Sequence, residues 1–148
     1  MLRRLQSEDF HSYIEYYQKN QDRIELLHKE IASWEYEFGG VKAVQTDREM
    51  NHTVQSGGLT LIQREAMFRI EQCYIDITEC QRKMKVVDDL LDYLWEVGDE
   101  TEHSIIKLRS QRKRWEEIGE VVNYSFNNCR YLYFKAISRY INFIRQLS

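Results

Sequence analysis

SIIKLRSQRKRWEEIGEVVNYSFNNCRYLYFKAISRYI, residues 104–141, is the stretch whose reading decides the fold. It divides into two short amphipathic helices, a tight turn and a longer basic helix. In WEEIGEVV the spacing puts Trp115, Ile118, Val121 and Val122 on one helical face and Glu116, Glu117 and Glu120 on the other. Asn123-Tyr124 reads as a turn, because Asn tolerates the left-handed conformation better than most residues. Ser125 is then placed to cap the next helix by accepting a bond from a free backbone N–H. The stripe Phe126, Cys129, Tyr133, Ala136/Ile137 and Tyr140 is expected to face inward, and Asn127, Asn128, Arg130 and Tyr131 to project from the first turns.

Charge separates this stretch from the rest of the chain. Residues 105–148 carry nine Lys or Arg against three acids, whereas residues 1–98 carry twelve against eighteen. A basic end on an acidic body is the pattern of a nucleic-acid-binding arm. Two short helices, a turn and a basic helix form a layout that sets its last helix in the DNA major groove. In that layout Asn127, Asn128, Arg130 and Tyr131 are candidates for base edges, since Asn pairs bidentately with adenine and Arg with guanine. Arg112, Lys113, Arg114, Ser125, Lys135 and Arg139 are candidates for phosphates, which supply affinity more than sequence discrimination.

On these residues the stretch resembles the region-four helix-turn-helix of bacterial sigma factors and the phage late-transcription regulators built on it, the RinA/ArpU type. The elements in register are Ile105, Ile106, Leu108, Arg109, Trp115, Glu116, Glu117, Ile118, Tyr124, Ser125, Arg130, Ala136 and Ile137. Lys135 stands where that family has Arg, and Gly119 where it has Ala. Gln111-Arg112-Lys113 lacks the family's turn glycine, which predicts a first turn of different shape. The likeness covers about forty residues, the last third of the chain. It implies a phage-encoded activator of late genes that binds double-stranded DNA upstream of a promoter and assists the host RNA polymerase.

The body before residue 98 is regular. Phe10, Tyr13, Tyr17, Asn20, Ile24, Leu27, Ile31, Trp34 and Phe38 keep a 3-4 spacing, and Ile70, Cys73, Ile77, Cys80, Met84, Val87, Leu91 and Leu94 repeat it. Such a period predicts two helices of roughly 40–50 Å packed along a seam. Ser7 with Glu8 and Asp9 suits the start of the first, and Thr60 with Gln63 has the spacing of a capping box at the second. Asn20 falls on a seam position, either as a register device or as a locally wet spot. Residues 39–58, bounded by glycine pairs, read as a flexible linker, with a partner-binding loop as the other reading.

The expected architecture is therefore all-α: a long antiparallel, coiled-coil-like helical hairpin over 1–98, then a helix-turn-helix domain over 99–148. Whether the hairpin seam closes within one chain or between subunits of a homo-oligomer is left open by the pattern. Past residue 131 the last helix is apolar nearly all round (Leu132, Phe134, Ile141, Phe143), so its second half should dock against the hairpin or another subunit, the other reading being an exposed patch for RNA polymerase or another protein.

Other chemistry has little support. Cys73 and Cys80 are seven apart without a nearby His, and the four His are scattered, so no metal set and no cofactor is expected. No glycine loop leads into a Lys-Ser/Thr helix start, and no enzyme is expected. Three cysteines, an odd number, fit a reducing cytoplasm, that of the host if the chain is phage-encoded. MLRRLQSEDF lacks an apolar core, so no secretory signal is expected, and no long apolar run predicts a membrane span. Two alternatives stay open. A phage DNA-packaging recognition subunit also joins such a motif to a coiled coil, though with the motif first. A coiled-coil interaction or inhibitor protein would not bind DNA at all.

Overall fold

The computed structural model describes residues 4–55 and 60–147, the stretch 40–55 by its backbone alone. Among these residues the chain is all helical: α1 (Ser7–Glu15), α2 (Tyr17–Gln55), α3 (Leu61–Glu96), α4 (Glu100–Ser110), α5 (Trp115–Val122) and α6 (Phe126–Leu147). The absence of Pro leaves helix ends to caps and left-handed residues. Asp9 accepts the Gln6 N–H (2.8 Å) at the start of α1. At α3, Thr60 and Gln63 form the reciprocal pair their spacing announced, each side chain accepting the other's backbone N–H at 3.1 Å.

Three helices end in one way. α3 stops at Gly98 (φ 81°), and the next N–H, of Asp99, returns to the Leu94 carbonyl at 3.0 Å. α5 stops at Asn123 (φ 63°), and Tyr124 N–H returns to Gly119 at 3.1 Å. α4 stops at Arg112 (φ 64°), with Lys113 N–H on Leu108 at 3.1 Å and Arg112 N–H on Arg109 at 2.9 Å. This six-to-one closure normally uses glycine at its left-handed position. The turn missing its glycine keeps the glycine geometry and places Arg112 there, at a cost of about 1–2 kcal/mol.

The chain forms two compact units, residues 22–80 and residues 1–21 with 81–148. The expected division at Gly98 is thus displaced. Its physical cause is that Phe10, which begins the first seam, and Ile14, which lies off it, are fully buried in one core with Val87, Leu90, Leu94, Ile105, Ile106, Ile118, Cys129, Tyr133, Ala136, Ile137 and Ile141. A break at Tyr16 separates α1 from α2, so the run from Phe10 to Phe38 is two helices rather than one. The segment expected as a linker, 39–58, is helical as far as Gln55, and residues 56–59 lie outside the described residues.

In the unit 22–80, Leu27, Ile31, Cys73 and Ile77 form the core, with Ile24 and Ile70 packed on it. Arg23 meets Asp76 at 3.5 Å, and Glu30 lies beside Cys73, whose thiol is pushed up by burial and then by Glu30. Chain direction is therefore opposite in the two helices. A second α3 stripe stays uncovered: Leu61 (82% exposed), Phe68 (55%) and Ile75 (59%), seven residues apart.

Gly119 has a steric reason. A Cβ built there would lie 2.7 Å from the Tyr124 carbonyl oxygen, a backbone atom locked by the turn. Gly119→Ala would gain about 1 kcal/mol of helix propensity. Forcing the two backbones apart should cost about 1–3 kcal/mol, leaving a net loss. Urea midpoints of the two proteins check this, and a rise in the alanine variant would mean that the turn yields freely.

Candidate nucleic-acid interface

The side chains singled out on 112–139 ride on the larger unit, whose core holds α4, α5 and α6 together. Ser125 caps α6, its Oγ accepting the Asn128 N–H at 3.2 Å. Cys129, Tyr133, Ala136 and Ile137 are fully buried on the inner side, as their spacing required, whereas Phe126 remains 39% exposed beside Trp115. The outer side of α6 is a shallow surface lined by Asn127, Arg130, Tyr131, Phe134, Lys135 and Ser138. Three of the four candidate base readers share it. Asn128 is exposed but does not line it.

Two cations on this helix lie over aromatic rings, Arg130 at 5.7 Å from Phe126 and Lys135 at 6.0 Å from Tyr131. The rings limit where those charges swing without neutralising them. Arg112, Lys113 and Arg114 are exposed on the α4–α5 turn, and Arg114 also meets Glu117 at 3.1 Å.

Arg109 fixes the position of that turn. Its guanidinium forks onto Glu15 of α1 (2.7 and 3.0 Å), donates to the Lys113 carbonyl (2.9 Å) and lies 4.8 Å from the centre of the Trp115 ring. One side chain thereby ties α1, the end of α4 and the start of α5. A bidentate, partly buried pair of this kind is stronger than an exposed ion pair.

Arg139 stands apart among the candidate phosphate contacts, because it is already paired with acids. Its Nη1 lies 2.6 Å from Asp99 and 3.1 Å from Glu102, whose side chain is only 9% exposed. Burial raises the Glu102 carboxyl, and Asp99 raises it further. Arg139 is the counter-charge of these two acids, which offset the charge that a phosphate would meet. The sequence places it on the basic helix, but the acids that claim it lie 37 and more residues earlier.

Tyr133 holds the middle of the unit. It is fully buried, its Oη is 2.8 Å from His11 Nδ1, and its phenol is pushed up by burial and then by Glu15. Trp115 and Phe134 meet it edge-on at 5.1 and 4.9 Å. Tyr17 donates to Asp88 at 2.7 Å, and burial followed by that bond pushes its phenol up to about 12.

Sequence reasoning overlooked His11, Tyr16, Lys19 and Phe134 as surface-forming residues. The first three sit in the first seam run and line, with Arg112, Arg130 and Phe134, a groove of about 830 Å³. Tyr16 and Lys19 lie off the seam spacing, and that is the one local sign of them. Among the described residues no group of three or more His, Cys, Asp or Glu is placed to hold a metal ion, and no helix is long and apolar enough to cross a membrane. No protein-family model, curated protein or solved structure matches the chain.

Proposed function

We propose that this chain is a sequence-specific, double-stranded-DNA-binding transcription regulator: a helical hairpin for assembly, joined to a sigma-like helix-turn-helix. The observation that carries it is the Ser125-capped α6, with Asn127, Arg130, Tyr131 and Lys135 on one exposed face beside the exposed Arg112–Arg114 turn. A capped helix N-terminus with amide and guanidinium side chains is suited to a major groove, and the adjoining cations to its phosphates. By the resemblance, the function is activation of phage late genes with the host RNA polymerase as partner. The uncovered stripe Leu61, Phe68 and Ile75 supports self-association through the hairpin, because seven-residue spacing presents one face to a facing helix. The same stripe also favours a second reading, an interaction protein without DNA.

Selection of bound sequences from a random duplex pool, followed by affinity measurements on the winner and on random DNA, tests the proposal. Arg130→Ala or Asn128→Ala should cost about 1–3 kcal/mol on the selected site and much less on random DNA. Equal losses on both would mean that α6 grips the backbone without reading sequence. No binding at any salt would leave the interaction protein as the better reading.

A further inference from the structure

The groove behind the α6 face has a wall that the helix-turn-helix reading does not use. Ser12, Tyr16 and Lys19, from the α1–α2 junction, face Arg112 of the α4–α5 turn and Arg130 and Phe134 of α6 across it. Glu15 also lines this groove, but its carboxylate is taken up by the Arg109 fork. Lys19, Arg112 and Arg130 have no acid partner among the described residues, and Lys19 is exposed, its Nζ 5.5 Å from the centre of the Tyr16 ring. Three cations around one groove, with a single acid already neutralised, make a positive channel. A hydroxyl and a phenol on its wall add donors suited to phosphate oxygens.

Two of those cations, Arg112 and Arg130, are ones the proposed function sets on a phosphate and on a base of one duplex. A DNA strand that meets both passes the opposite wall. We propose that Lys19, supported by Ser12 and Tyr16, contacts the phosphate backbone of the same duplex, so that the N-terminal helices form part of the DNA interface. This rests on the DNA-binding reading above. Arg109 acquires a purpose in it, since its fork on Glu15 holds the two walls of the channel at a fixed separation.

The test uses the full chain and a random-sequence duplex, because phosphate contacts are indifferent to sequence. In Lys19→Ala, the affinity lost between about 50 and 200 mM salt should shrink by roughly three- to fourfold, the share of one phosphate contact. Lys19→Glu should weaken binding further, and Lys19→Arg should restore the wild-type salt slope. Lys107→Ala is the control, since Lys107 lines a different groove with Asp88 and Asp92, and its slope should stay at the wild-type value. Helix content by circular dichroism should be equal in all variants, as Lys19 is exposed. A wild-type protein that binds, with an unchanged slope in Lys19→Ala, overturns the inference and leaves the DNA-binding reading standing. A wild-type protein that does not bind DNA overturns both.

Discussion

Replacing Arg112, Lys113 and Arg114 together by alanine is expected to weaken binding to selected and random duplexes alike. The slope of log affinity against log salt should fall by about 2.7 units, at about 0.9 for each phosphate contact on B-DNA. Across a fourfold rise in salt this removes roughly 40-fold of the affinity change. Folding should survive. Arg112 and alanine carry the same left-handed strain at φ 64°, Lys113 contributes its carbonyl rather than its side chain to Arg109, and the Arg114–Glu117 pair is exposed. The measurement is a salt titration of both proteins on both DNAs. An unchanged slope would take this turn off the DNA.

Tyr133→Ala should be the most damaging single change in the larger unit. It removes the largest fully buried side chain, at the meeting point of Trp115, Phe134 and His11, and leaves a cavity. Substitutions of this size cost about 3–5 kcal/mol, which for a chain of this length lowers Tm by roughly 10 °C. Tyr133→Phe keeps the ring and loses only the bond to His11, whose side chain is partly exposed to water. Its cost should be about 1 kcal/mol. Calorimetry on the two variants separates packing from the hydrogen bond. Equal, small shifts would mean that the core collapses around the missing ring without penalty.

Local signals in the sequence were legible and long-range ones were not. The Thr60–Gln63 box, the Ser125 cap and the left-handed Asn123 each depend on a few adjacent residues, and each stands where the spacing placed it. The seam residues Leu27, Ile31, Cys73 and Ile77 are buried because burial follows the period. The period does not reveal which partner a seam meets. Phe10 keeps the rhythm of α2 yet packs, with Ile14, in the core that α4 and α6 build, which displaced the unit boundary. The same blindness covers Arg139: its charge is visible in the chain, but Asp99 and Glu102 beside it are a matter of folding. Arg112 was read for its charge and for a turn of different shape without glycine, whereas the six-to-one closure of α4 keeps the glycine geometry and sets Arg112 itself in the left-handed region.

The core that joins α1 to α6 also sets the timing of synthesis. Phe10 lies edge-on to Tyr140 at 5.6 Å, and His11 bonds a tyrosine 122 residues further along. At about 5–20 residues per second, the ribosome makes α1 roughly 6–25 s before the helix that covers it. During that interval Phe10 and Ile14 find only the α3 and α4 part of their packing, Val87, Leu90, Leu94, Ile105 and Ile106, and lack the α6 side of the core; contacts of such sequence separation close slowly once available. A message truncated before α6 would release a chain with its first helix only partly covered, a substrate for chaperones and proteases rather than a partly active fragment.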